Sequence, residues 1–122
     1  MKLSDILPRL GPVIGFSSLL GAPGSVSSRQ ELNPTLEQAQ AQLDKVLTAQ
    51  RNCQSDYAYW GYEGQKAYWR CLVDLCKAAE ITGPDNLPDV ALPKLEGQIV
   101  MSACGNMESF GRAVLAAAKA TA

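Results

Sequence analysis

Residues 33–60 read NPTLEQAQAQLDKVLTAQRNCQSDYAYW, and this stretch decides the fold class. Its apolar residues recur at steps of three and four, interrupted only at Gln50, which places them on one face of a helix. These residues are Leu36, Ala39, Leu43, Val46, Cys53, Tyr57 and Trp60. Asn33 suits the N-cap, and Pro34 suits the first helical position. The pattern therefore predicts a long helix over 33–60 that needs a partner for its apolar face.

Two further helices follow this one in the sequence. Residues 65–81 are apolar nearly all round, which is typical of a helix that lies between neighbours. Gly61 and Gly64 predict a tight turn before it, and the alternative is one unbroken helix over 33–81. A loop with three prolines then precedes a third helix over 94–119. We predict an all-α domain over 33–122, in which three helices form an up-down-up bundle.

Residues 1–32 differ from the rest of the chain. They combine an apolar segment with a linker of Gly, Ser, Pro and Ala, and the apolar run is too short and too interrupted to cross a membrane. We predict an extended N-terminal arm that docks on a partner protein; the alternative is an arm that folds back on its own domain. The partner-binding residues expected in the arm are Val13, Ile14, Phe16, Leu19 and Leu20.

The four cysteines predict two disulfides. Cys53 and Cys71 are equidistant from the first predicted turn, and Cys76 and Cys104 from the middle of the loop before the third helix. Residues equidistant from a turn lie side by side in an antiparallel hairpin, so these are the expected pairs. Disulfides indicate an oxidising compartment: an organellar intermembrane space or lumen, the periplasm, or the exterior. The alternative is four buried free thiols in a reducing cell interior.

Most aromatic residues lie between positions 57 and 69, and the predicted hairpin would gather them at its tip. Tyr57, Trp60 and Trp69 fall on inward-facing positions and are expected in the core. Tyr59 and Tyr62 are the expected outward, partner-binding residues. Tyr and Trp combine an apolar ring with a polar edge, which suits a partner protein, a pigment, a lipid or a membrane surface.

The composition argues against several classes of function. The chain has no histidine, the commonest general base and metal ligand, and the spacing of its cysteines does not match a zinc site. Its 11 basic and 12 acidic residues are interspersed, without the basic stripe typical of nucleic-acid binding. We therefore expect no catalysis, metal or cofactor, and predict a structural or adaptor subunit of a larger assembly. The alternative is a small secreted helical carrier of an apolar ligand; self-association stays open.

Overall fold

The computed structural model describes residues 1–10, 35–92 and 100–121, with the side chains of residues 8, 9 and 100–104 excepted. Over these ranges the chain forms helices joined by loops, without a strand. Helix α1 spans Leu3–Leu10, α2 spans Leu36–Asn52, α3 spans Asp56–Thr82 and α4 spans Val100–Thr121. The predicted all-α class is confirmed for this part of the chain. None of the helices in these ranges carries an apolar run long enough to cross a membrane.

Helix α2 begins with a capping box. The Thr35 hydroxyl accepts a hydrogen bond from the backbone N–H of Gln38 at 3.1 Å, and the Gln38 side chain accepts one from the backbone N–H of Thr35 at 3.0 Å. Because Thr35 is the N-cap, the predicted cap at Asn33, with Pro34 at the first helical position, is wrong. Ala39, Leu43 and Val46 are buried, as the apolar spacing predicts.

The turn between α2 and α3 lies earlier than predicted. Helix α2 ends at Asn52, and Ser55 caps α3 by accepting a hydrogen bond from the backbone N–H of Ala58 at 3.1 Å. Helix α3 then continues through Gly61 and Gly64, so the predicted turn at these glycines is wrong. The alternative of one helix over 33–81 is wrong as well. Two glycines cost a helix about 2 kcal/mol together, which the burial of the rest of α3 outweighs.

Helix α3 is the central helix of the described structure, as its composition predicts. It packs against each of α1, α2 and α4. Its buried residues begin at Gln65 and continue to its last turns; they are Gln65, Ala67, Tyr68, Trp69, Cys71, Leu72, Val73, Leu75, Cys76 and Ala78.

Residues 1–10 are a core element, so the prediction of an extended arm is wrong for this segment. Leu3, Ile6, Leu7 and Leu10 are buried, and their spacing places them on one face of α1. The backbone N–H of Leu3 donates to the Pro84 carbonyl at 2.7 Å. Over these ten residues the chain folds back on its own domain, which was the alternative. The rest of the predicted arm lies outside the described residues.

Helix α4 lies very close to the backbone of α3 at Gly111. A Cβ atom placed on Gly111 would lie 2.9 Å from the Cα of Cys71 and 3.2 Å from its carbonyl oxygen. Real Cβ atoms do not come this close to a backbone, so this crossing requires a residue without a side chain. Buried residues of α4 flank the crossing; they are Met107, Phe110, Val114 and Ala118.

The earlier turn also separates the first predicted disulfide pair. Cys53 now follows α2 directly, whereas Cys71 lies 15 residues into α3, roughly 22 Å along the helix axis. Both are free thiols, so the Cys53–Cys71 pairing is wrong. No disulfide joins any two of Cys53, Cys71 and Cys76, whose side chains are described. The predicted Cys76–Cys104 pairing has no support in the structure either, because Cys76 forms no disulfide.

Candidate functional site

Three exposed aromatic residues form a surface at the start of α3, which we call the aromatic surface. The exposed fractions of Tyr57, Tyr59 and Trp60 are 80%, 42% and 48%. The rings of Tyr59 and Trp60 meet edge to face, with centroids 5.2 Å apart and planes at 89°. Exposed aromatic residues grouped at one helix end make this the candidate interaction site of the described structure.

The position of the turn explains why these rings are exposed. Because α3 begins at Asp56, Tyr57 and Trp60 occupy its first turns, before the buried part of the helix begins at Gln65. Their predicted place in the core is therefore wrong. Tyr59 is exposed, whereas Tyr62 is partly buried and packs against the core. The other predicted partner-binding residues, which belong to the arm, lie outside the described residues.

A cap signal in the sequence could have identified this surface. Ser55 followed by Asp56 is a common helix start, because serine caps the first turn and an acidic residue favours the positive end of the helix. Weighting this signal above the glycines at 61 and 64 would have placed Tyr57 and Trp60 at an exposed helix end.

A network of hydrogen bonds joins α2 to the part of α3 that carries the aromatic surface. The side-chain amide of Gln50 in α2 donates to the Tyr59 carbonyl at 3.3 Å and to the Glu63 carboxylate at 2.6 Å. Lys66 donates to the same carboxylate oxygen. The network joins the last turn of α2 to the first two turns of α3, and so holds the backbone that carries the three rings.

The pKa of Glu63 lies below its usual value. Burial alone would raise this pKa. The hydrogen bonds from Lys66 and Gln50 and the positive charges of Lys66 and Arg70 lower it by more than burial raises it. A carboxylate whose pKa is lower in the folded state stabilises the fold above its unfolded-state pKa, about 4.3. That contribution is lost as the pH falls through the folded-state value.

We expect the substitution Glu63→Gln to lower the free energy of unfolding by about 0.5–1 kcal/mol at pH 7, because the ion pair is partly exposed. The difference from the parent protein should shrink as the pH falls below the unfolded-state pKa, about 4.3, toward the lower folded-state pKa. Urea unfolding at pH 7 and at pH 3.5 measures both values, with Glu80→Gln as the exposed control. If the variant and the parent differed in their free energy of unfolding by the same amount at both pH values, the ionised Glu63 carboxylate would not be the group that stabilises the fold.

The buried thiols of Cys71 and Cys76 are poorly suited to nucleophilic chemistry. Burial raises the pKa of Cys71 to about 12, and Asp74 adds to the shift. Burial, followed by the charge of Glu80, also raises the pKa of Cys76. A raised pKa disfavours the thiolate, which is the form in which cysteine acts as a nucleophile or a metal ligand. Within the described ranges, no group of Cys, Asp and Glu side chains converges as a metal site.

The described site therefore consists of exposed rings on a hydrogen-bonded support, without a reactive group at its centre. Comparison of the chain with protein-family models, with curated proteins and with solved structures found no match.

Proposed function

We propose that this protein is a non-catalytic structural or adaptor subunit that binds a partner protein through its aromatic surface. The exposure of Tyr57, Tyr59 and Trp60 on a rigid support is the observation that carries the proposal. Tyr and Trp are the residues most enriched at the energetic centres of protein interfaces. Tyr and Trp side chains have only two rotatable side-chain torsions, so they lose little conformational entropy on binding.

The size of the aromatic surface argues for a second contact. An aromatic side chain buries about 150–250 Å², so the exposed parts of the three rings offer on the order of 350 Å². A standard interface takes about 800 Å² from each partner. We propose that the N-terminal arm supplies the remaining contact area through its apolar residues, namely Val13, Ile14, Phe16, Leu19 and Leu20.

Two finer features belong to the same proposal. The three-residue turn at 53–55 supports an antiparallel arrangement of α2 and α3, which is the first change of direction in the proposed up-down-up bundle. The direction of α4 stays a prediction. An oxidising compartment now depends on a Cys76–Cys104 bridge that the described structure does not contain, since the Cys53–Cys71 pair is wrong. Mass mapping of the cysteines without reduction tests this bridge; a free Cys104 would favour the reducing cell interior.

The double substitution Tyr57→Ala and Trp60→Ala should reduce the amount of partner that copurifies with the protein at least tenfold, because truncating central aromatic residues costs about 2 kcal/mol or more each. The measurement is gentle purification of the tagged protein from its own cells, with quantitative mass spectrometry of what accompanies it. Ile81→Ala is the matched control, since Ile81 is 41% exposed at the opposite end of α3.

Two outcomes would contradict this proposal. The first is retention of the same partner by the double variant, which would place the interface elsewhere. The second is purification of the parent protein as a monomer with a bound apolar molecule, which would favour the carrier function. Phe16→Ala with Leu20→Ala tests the arm separately and leaves the aromatic surface intact.

A further inference from the structure

Residues 1–3 pair with the loop that follows α3, and the α-amino group of Met1 takes part in this pairing. The Met1 ammonium donates a hydrogen bond to the Leu87 carbonyl at 2.7 Å. In return, the Leu87 backbone N–H donates to the Met1 carbonyl at 2.9 Å, and the Leu3 backbone N–H donates to the Pro84 carbonyl at 2.7 Å. Met1 and Leu87 are 86 positions apart, so the amino group is part of the tertiary structure.

The charge on the amino group strengthens this pairing. An ammonium group forms stronger hydrogen bonds than a neutral amide, and the Leu87 carbonyl accepts this one at a partly buried position. The Asp89 carboxylate lies 3.1 Å from the same nitrogen, but its side chain is 93% exposed, so this ion pair adds little. The hydrogen bond to Leu87 therefore provides most of the stabilisation that the ammonium group supplies.

The same pairing holds the start of α1 in the core. The Met1 side chain packs against the core cluster, and Leu3 and Leu87 are buried in it. Lys2 lies between these positions and is exposed. The start of the chain thus presents two amino groups one residue apart, and the amino group of Met1 is the one that pairs with the loop.

We propose that the α-amino group of Met1 is a modification site, at which acylation and the docking of α1 exclude each other. The acyl donor is an acyl thioester. The nitrogen forms an amide bond to the acyl carbon while the C–S bond breaks, and the ammonium group gives one proton to the departing thiol and one to water. The product has lost the terminal charge and keeps a single N–H for the two acceptors, the Leu87 carbonyl and the Asp89 carboxylate.

Docking in turn protects the amino group from acylation. An amine attacks a thioester through its free electron pair, which the ammonium group does not have while it donates to Leu87 and faces Asp89. The Met1 side chain is also only 17% exposed in this position. The acyl donor therefore reacts when residues 1–3 have left the loop, and the acyl group then keeps the apolar face of α1 away from the core.

The test compares two chains that carry one acetyl group at positions one residue apart. Ligation at Cys53 joins a synthetic peptide of residues 1–52 to residues 53–122, so the acetyl group can be placed on the α-amino group of Met1 or on the side chain of Lys2. Both modifications remove one positive charge, but only the first changes the group that pairs with the loop. Hydrogen exchange of individual backbone amides, followed by NMR, measures docking.

We expect the amides of Leu3 and Leu87 to exchange about tenfold faster, or more, when Met1 is acetylated. These amides donate across the pairing between the two segments, so they lose protection when the segments separate. The chain acetylated on Lys2 should match the unmodified chain within about twofold, because the Lys2 side chain is exposed.

The Gly83 amide is the internal reference, because it donates to the Ala79 carbonyl at the end of α3 and not to residues 1–3. Its exchange should stay unchanged in both acetylated chains. The proposal is overturned if acetylation of Met1 leaves the exchange of the pairing amides unchanged, or if acetylation of Lys2 accelerates it equally. Equal acceleration at Gly83 would also overturn it, since the whole domain would then be destabilised.

Discussion

Replacing Gly111 by alanine is expected to lower the free energy of unfolding by about 1–3 kcal/mol. The added Cβ would lie 2.9 Å from the Cα of Cys71, so α3 and α4 must separate by several tenths of an ångström at their crossing. Both atoms belong to backbones inside helices, and neither can move away as the end of a side chain would. Phe110 and Val114, which are buried beside the crossing, lose packing when the helices separate.

Gly105 provides a matched control on the same helix. A Cβ on Gly105 meets nothing within 4 Å, and this residue is exposed. Alanine is the better helix former by about 0.5–1 kcal/mol, so Gly105→Ala should raise the free energy of unfolding by that amount. Urea unfolding followed by circular dichroism measures both variants. If the two substitutions change the stability in the same direction, Gly111 does not mark a close helix crossing.

Replacing Gln65 by methionine should raise the free energy of unfolding by about 1–3 kcal/mol. Gln65 is completely buried in α3, and neither its side-chain nitrogen nor its side-chain oxygen has a hydrogen-bond partner among the described residues. Burying a polar group without a hydrogen-bond partner lowers stability, because the group loses its hydrogen bonds to water and gains none in return. A methionine side chain has a similar length and carries no amide that needs such hydrogen bonds. Most core substitutions destabilise a protein, so a gain at a buried position is a specific expectation.

Gln50 is the matched control for this substitution. Its side-chain amide donates to the Tyr59 carbonyl and to the Glu63 carboxylate, so Gln50→Met removes hydrogen bonds that exist. This variant should lose about 1 kcal/mol of stability in the same unfolding assay. A loss of stability in the Gln65 variant as well would mean that the amide of Gln65 has a partner in solution.

The apolar periodicity was the most informative part of the sequence. It predicted the all-α class, the buried face of α2 at Ala39, Leu43 and Val46, and the central place of the helix that contains Trp69. Periodicity reports what a helix buries, and burial dominates the free energy of folding. For the same reason, the spacing of Leu3, Ile6, Leu7 and Leu10 would have predicted α1.

The errors trace back to the ends of the helices. Gly61 and Gly64 were read as a turn, although a serine cap at Ser55 and the apolar surface that follows the glycines keep them in α3. This shift turned Tyr57 and Trp60 from core residues into exposed ones, and it separated Cys53 from Cys71. Helix ends depend on differences of about 1 kcal/mol between caps and propensities. Composition alone does not resolve such small differences.

The contact between α1 and the loop after α3 has a consequence for synthesis on the ribosome. The backbone N–H of Leu87 donates to the Met1 carbonyl at 2.9 Å, so the two segments meet across most of the chain. At about 5–20 residues per second, the apolar face of α1 leaves the exit tunnel roughly 4–15 s before residues 84–87. During that interval its four buried leucine and isoleucine side chains cannot yet pack against the rest of the core. The nascent chain should therefore be a client of chaperones that recognise short apolar segments near the ribosome.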